Sequence, residues 1–261
     1  MNYYNEEILN LISDNILNID TDELKRIYEV FNNEGIKKIE IERTKHNYQQ
    51  FLKDAAVNSV QFDLPYFFDN KKEKTIMIIG MDAKASHSDK FVVLSTPYYL
   101  QSKAGQNTNK NDYWDIIKIL SQDYNIYLTD VYKAYYKQVD SVSNELPHYT
   151  EQDFHKNILN DEIIKIVKPL AILSWGKKSR DSVAKIFDLK INNSITKDNI
   201  HIPYRINNSI KFISTPHPSR RTRSNHWKKF FEMNMPHQDH TDNDNRPKYL
   251  AELIMKSLKN Q

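Results

Sequence analysis

The amino-acid sequence predicts a layered α/β domain with a mostly parallel sheet of four strands, preceded by a helical extension. Three observations predict it. Short strand-like segments recur at residues 75–79 (TIMII), 125–131 (NIYLTDV), 170–174 (LAILS) and 211–215 (KFIST), the first of them a wholly apolar run of the kind buried on both faces of a sheet. The segments between them carry helical periodicity, and strands alternating with helices argue for a parallel sheet. A chain of 261 residues with 39% hydrophobic content is long enough to bury a core.

In chain order, residues 6–56 read as helical. Ile8, Leu9, Leu11, Ile12, Ile16 and Leu17 fall at helical spacings, and Asp20 or Thr21 caps a second helix through Leu24, Ile27, Tyr28 and Phe31. Gly35 ends that helix, and residues 36–53 read equally as a third helix or as a helix–strand mixture. The charged run DNKKEK at residues 69–74, just after Pro65, sets the boundary: an extension over 1–70 and an α/β domain over 71–261. The first strand delivers Gly80-Met81-Asp82-Ala83-Lys84 at its C-terminal end, where ligands sit in open parallel sheets. A long segment with little helical signal comes next, holding one apolar patch at Phe91-Val92-Val93-Leu94, before a helix starts at Tyr113. The second strand leaves the sheet through Tyr132 to Tyr136, and a helix over 151–167 leads to the third strand. Gly176 opens a helix over 177–187; a polar, asparagine-rich excursion then precedes the fourth strand, and an amphipathic helix over 246–258 aligns Leu250, Leu253, Ile254 and Leu258.

Composition excludes several chemistries. With no cysteine, the chain has no thiolate nucleophile, no cysteine-bound zinc and no cysteine-ligated iron–sulfur cluster. Four glycines rule out a glycine-rich dinucleotide or P-loop fingerprint. No run approaches the roughly eighteen apolar residues of a membrane span, and the first residues, MNYYNEEILNLI, are acidic where a secretory signal would be basic. The expected location is the cytoplasm. A net charge of +3 is too small to announce a nucleic-acid partner, so any such signal must be local.

The stretch KFISTPHPSRRTRSNHW, residues 211–227, is that local signal. Pro216 and Pro218 bracket His217 at a strand end, and Ser219, Arg220, Arg221 and Arg223 come after it, with Lys228 and Lys229 just beyond. Cations beside hydroxyl and amide donors suit phosphate; a solvated basic loop has the same composition. Asp82 and Asp130 also stand at strand ends, where each carboxylate either faces a crevice or serves structure, Asp82 by capping a turn or pairing with Lys84, Asp130 by capping or pairing with Lys133. The run His237, Asp239, His240, Asp242, Asp244 contains metal-binding residue types but lacks an apolar frame and reads as a solvated loop. Trp114 and Trp175 read as core residues.

Gly80-Met81-Asp82-Ala83 and His217-Pro218-Ser219, with Val93-Leu94-Ser95-Thr96-Pro97 and Leu128-Thr129-Asp130-Val131 between them in order, resemble the motifs of the uracil-DNA glycosylase superfamily. The resemblance covers residues 74–229 and implies a three-layer αβα fold, DNA as the partner and no cofactor or metal. Such enzymes evert a nucleotide and cleave its N-glycosidic bond. It further implies that Asp82 positions water, that His217 donates a hydrogen bond to the departing base, and that Ser86, Ser88 and Ser219 grip phosphates with Lys133, Arg220, Arg221, Arg223 and Lys228 around them.

Departures from the pattern carry information. Ala83 and Lys84 replace the usual proline-containing turn, so an aromatic residue that excludes a C5 substituent is absent from this motif. Leu94 stands where an aromatic stacks on the base, leaving Tyr98, Tyr99 or Phe91 as substitutes. Asp130 takes the place of a base-reading asparagine; a carboxylate only accepts hydrogen bonds, so it suits an exocyclic amino group such as cytosine N4 and repels uracil O4. The expected substrate is a cytosine-type base modified at C5, as in phage DNA, which points to defence. Excision of uracil in repair and DNA binding without catalysis are the alternatives.

Overall fold

The computed structural model describes residues 6–15, 19–42, 57–82, 91–106, 112–138, 149–218, 224–235 and 245–259. The chain divides into two compact units: Met1–Phe67, Asp82–Thr108 and Leu128–Ile166 form the first, and Phe68–Met81, Asn109–Tyr127 and Val167–Gln261 the second. The architecture is α/β, with mixed sheets rather than the single mostly parallel four-stranded sheet expected. Among the described residues no helix is long and apolar enough to cross a membrane.

The first unit begins with α1 (Glu6–Asn15) and α2 (Thr21–Glu34). Both capping signals of α2 act as their chemistry predicts: the Asp20 carboxylate accepts from Glu23 N at 2.8 Å, and Gly35 closes the helix with φ 62°. Leu24, Ile27, Tyr28 and Phe31 form the buried face, and the Tyr28 hydroxyl donates to Pro65 O at 2.5 Å. Past Gly35 the chain turns to strand. The segments β1 (Ile39–Glu42), β2 (Val57–Asp63), β5 (Phe91–Ser95) and β7 (Ala134–Gln138) make a four-stranded sheet in the order β1-β5-β2-β7. Only the β2–β5 pair is parallel; β1–β5 and β2–β7 are antiparallel. The first seventy residues are therefore not wholly helical, since β1, β2 and β3 (Tyr66–Phe68) lie among them.

The second unit holds most of a six-stranded sheet with the order β3-β6-β4-β8-β10-β9. Its continuous members are β4 (Thr75–Asp82, through residue 81), β8 (Ala171–Trp175), β9 (Tyr204–Ile206) and β10 (Ile210–Thr215); β6 (Asn125–Tyr132) lends it residues 125–127. The pairs β4–β8 and β8–β10 are parallel, as the apolar runs predicted. The edge strand β9 is antiparallel to β10 through a tight hairpin in which Asn207 and Asn208 both take left-handed backbone, φ 49° and 58°. Asparagine tolerates that region, so the asparagine-rich excursion ends as a hairpin. Around this sheet the unit holds α4 (Asp112–Leu120), α6 (Lys177–Ile186), α7 (Ser224–Asn234) and α8 (Arg246–Lys259); α8 buries Leu250, Leu253, Ile254 and Leu258 and packs on α4.

In the first unit α5 (Tyr149–Asp161) carries His155 into the core, where Nδ1 accepts the Lys133 backbone N–H at 3.2 Å. Burial, and then the Lys133 ammonium, push its pKa down to about 3. An unfolded histidine titrates near 6.5. Between these values the unfolded chain binds one more proton than the folded chain, so His155 makes stability fall as pH drops through that window, by about 1.4 kcal/mol per pH unit at full slope. His155→Asn keeps an acceptor for Lys133 N–H and removes the titrating group. Denaturant unfolding between pH 6.5 and 4 is expected to show a shallower loss of stability in H155N than in the wild type; parallel losses would contradict this.

Candidate active site at the strand ends

In the second unit the C-terminal ends of β4, β8 and β10 lie along one edge of the parallel sheet. Strand β10 is buried along its whole length and ends at Thr215, and buried Pro216 and Pro218 fix the backbone on both sides of His217. Next to it β8 ends in Trp175-Gly176, with Gly176 N donating to Thr215 O at 2.9 Å. Gly176 has φ 92° and ψ 165°, and a Cβ built on it would stand 3.2 Å from His217 Cβ and 3.4 Å from Cδ2. Both the backbone conformation and the close approach call for glycine. Tyr113, on α4, completes the enclosure: its hydroxyl lies 3.2 Å from His217 Nδ1, its ring meets the imidazole edge-on at 5.5 Å, and it packs against Trp175 at 5.1 Å. Burial lowers the pKa of His217, so the imidazole is uncharged at neutral pH.

A buried polar network braces the strand that carries His217. Arg180 on α6 makes a two-pronged pair with Asp198, Nε to Oδ2 at 2.6 Å and Nη2 to Oδ1 at 3.0 Å, and both side chains are almost fully buried. The Ser214 hydroxyl of β10 donates to the same carboxylate, as do Tyr204 Oη at 3.0 Å and Asn192 Nδ2 at 3.1 Å. No motif marks these residues, which come together from α6, a loop and two strands. Beyond His217, α7 turns Trp227, Phe230 and Phe231 inward and leaves Lys228 and Lys229 exposed. Lys228 makes a loose 3.8 Å pair with Glu232, which leaves its charge available to an anion. Trp227 is buried, with Arg246 5.2 Å over its ring, and is a core residue.

In the first unit Asp82 is the last residue of β4, and its carboxylate lies outside what is described. Asp130 lies in β6 and is 2% exposed. Lys133 does not pair with its carboxylate: the ammonium donates to Thr129 Oγ1, to the Asp130 carbonyl at 2.6 Å and to Glu162 Oε2 at 2.6 Å. Lys133 is 1% exposed and all three of its hydrogens are engaged, so the expected phosphate contact is corrected to a buried structural ion pair. Glu162 opens a π-helical turn, Glu162–Val167, that continues α5 and brings its carboxylate to this lysine.

Leu94 is likewise corrected. It is completely buried in β5, paired with Ile39 on one side and Phe62 on the other, and offers no face to a base. Tyr98 and Tyr99 are half-buried and both adopt left-handed backbone, φ 60° and 57°. That costs of order 1–3 kcal/mol per residue, and the surroundings enforce it. Tyr99 O accepts from Ser102 N at 3.2 Å and Ser102 Oγ at 3.1 Å, while a Cβ on Gly105 would stand 1.9 Å from the same oxygen. Thr96 Oγ1 holds Gln101, whose amide donates to Ile36 O and Lys37 O. The two tyrosines are thus the rigidly presented aromatics of this segment.

Ser86, Ser88, Ser219, Arg220, Arg221 and Arg223 lie outside the described residues, as does the run His237 to Asp244. Among the described residues no group of three or more His, Cys, Asp or Glu side chains is arranged to hold a metal ion. No family model matches the chain, and no curated protein matches it.

The glycine requirement next to His217 is testable. Gly176→Ala places a methyl against His217 in a backbone region that L-residues rarely adopt, and the variant is expected to lose about 1–3 kcal/mol of stability. Thermal and denaturant unfolding measure it; a variant as stable as the wild type would contradict the geometry.

Proposed function

We propose that the protein is a DNA glycosylase of the uracil-DNA glycosylase type that releases a cytosine-like base, modified at C5, from DNA. The observation that carries this reading is His217: an uncharged imidazole held at the end of a parallel strand within His-Pro-Ser, with a cluster of arginines next in sequence. A neutral, immobilised N–H donor is suited to a base that departs with negative charge gathering on its O2, because the dipole is in place before the charge develops. The parallel run of β4, β8 and β10, with the motif residues at or just beyond the C-terminal ends of β4 and β10, supports the three-layer αβα fold that the resemblance implies.

The chemistry on this reading balances without a cofactor. Water forms a bond to C1′ and gives its proton to the Asp82 carboxylate, while the C1′–N1 bond breaks and its electron pair leaves with the base. The base anion, stabilised at O2 by the His217 N–H, then takes a proton from solvent. Tyr98 and Tyr99 supply the aromatic surface in place of Leu94. On this reading Asp130 accepts from the exocyclic amino group of the base, since a carboxylate can only accept. The exposed lysines of α7, together with the arginines that precede it in sequence, would on the same reading bind the phosphates. Cleaving ordinary cytosine would destroy the host genome, so the reading selects a modified base in foreign DNA such as that of a phage.

Duplexes carrying uracil, cytosine, 5-hydroxymethylcytosine or its glucosylated form, incubated with the protein and then treated with alkali, distinguish the possibilities. Strand breakage is expected at a modified cytosine. Asp130→Asn, which restores an amide that both donates and accepts, is expected to raise the rate at uracil relative to modified cytosine by about tenfold or more. Release of uracil alone by the wild type, or an unchanged preference in D130N, would refute the amino-group assignment; no breakage in any duplex would refute the glycosylase.

A further inference from the structure

We propose that Tyr113 is a positioning residue that fixes His217 as the Nε2–H tautomer, by donating its phenolic hydrogen to Nδ1. The contact is 3.2 Å between Tyr113 Oη and Nδ1 and joins residues 104 apart in the chain. A neutral imidazole carries one N–H and one bare nitrogen, and which is which depends on the partner offered to each. A hydroxyl can serve either role. Two features of the site choose between them.

The first is relative acidity. A phenol is an acidic donor, with a pKa near 10, and imidazole nitrogen is a far better base than a phenolic oxygen. The O–H···Nδ1 arrangement therefore joins the better donor to the better acceptor, while the reverse sets an N–H on a weak acceptor. The second is rigidity. Tyr113 is pinned at ring–ring distance against Trp175, itself 1% exposed, and His217 is fixed by its flanking prolines and by the close pass of Gly176. Neither ring can swing away without disturbing the end of β8, so the hydroxyl stays opposite the same nitrogen. With Nδ1 occupied as an acceptor, the hydrogen must reside on Nε2.

The consequence for catalysis rests on the glycosylase reading: only the Nε2–H tautomer makes the distal nitrogen of His217 a donor to a departing base oxygen. The tautomer itself does not rest on it, so the two can fail separately. Protein labelled with 15N in histidine contains nine imidazoles, and the His217 signals are identified by their absence in His217→Gln. Long-range 15N–1H correlation at neutral pH is expected to show His217 with a protonated Nε2 and a bare Nδ1. In Tyr113→Phe, which keeps the ring and its packing, the two nitrogen shifts are expected to converge towards an average of both tautomers, and base release is expected to slow by about tenfold in kcat with KM little changed.

A wild-type Nδ1–H pattern would overturn the proposal even if the variant failed to fold. An unaltered tautomer in folded Y113F would overturn it as well. Should the wild type show the Nε2–H pattern and Y113F lose it while no duplex yields an abasic site, the tautomer assignment stands and the glycosylase reading alone falls.

Discussion

The passage of Gly176 beside His217 is the constraint on which the candidate site depends. A strand end brings the chain so close that a β-carbon on residue 176 would stand 3.2 Å from that of His217, and the backbone there takes a φ of 92°. Glycine at this point lets β8 and β10 remain in parallel register to their last residues, with Ser174 opposite Ser214 and Trp175 opposite Thr215. The imidazole then has almost no positional freedom, since prolines hold its backbone and Tyr113 meets its ring. Its loss of charge at neutral pH comes from the same enclosure, because burial penalises imidazolium more than imidazole.

Each unit contains a buried ion pair, and both are placed to hold a strand rather than to meet a ligand. Arg180 and Asp198 tie α6 to β10 through Ser214, and Lys133 and Glu162 tie the end of β6 to the π-turn after α5. Taking such charges out of water is costly, and the pairing offsets the cost only when every donor and acceptor finds a partner. Both clusters meet that demand with hydroxyl, amide and carbonyl groups. At Lys133 the backbone also changes allegiance: its carbonyl accepts from Asp63 N and its N–H goes to His155, so the chain leaves β6 and enters β7 of the other sheet within a single residue.

The features legible in the sequence are those that local chemistry encodes. Asp20 and Gly35 mark the ends of α2, the runs at 75–79, 125–131, 170–174 and 211–215 are strands, and the apolar face of α8 is buried, because caps, periodicity and continuous apolar runs are written within a few residues. The strands β1, β2 and β7 were not legible. They are short, carry polar residues such as Glu40, Asn58 and Lys137, and acquire strand character only from partners far away in the chain. The same reason hid the long-range partners within each unit. Tyr113 showed only as the start of a helix, Glu162 as one more helical carboxylate, and Lys133 as a surface cation, since none has a local signal for a partner 104, 29 or 22 residues distant. The bracketing of His217 by prolines was the exception, a constraint written directly in the chain.

Whether the protein cleaves the N-glycosidic bond of a modified cytosine in DNA, as proposed, is the central question. Mass spectrometry of the low-molecular-weight products, after wild-type protein acts on a duplex containing 5-hydroxymethylcytosine or its glucosylated form, answers it directly. The expected products are the free modified base in solution and a strand of full length carrying one abasic site. Nucleotides or shortened strands in place of the free base, or a duplex of unchanged mass, would contradict the glycosylase reading.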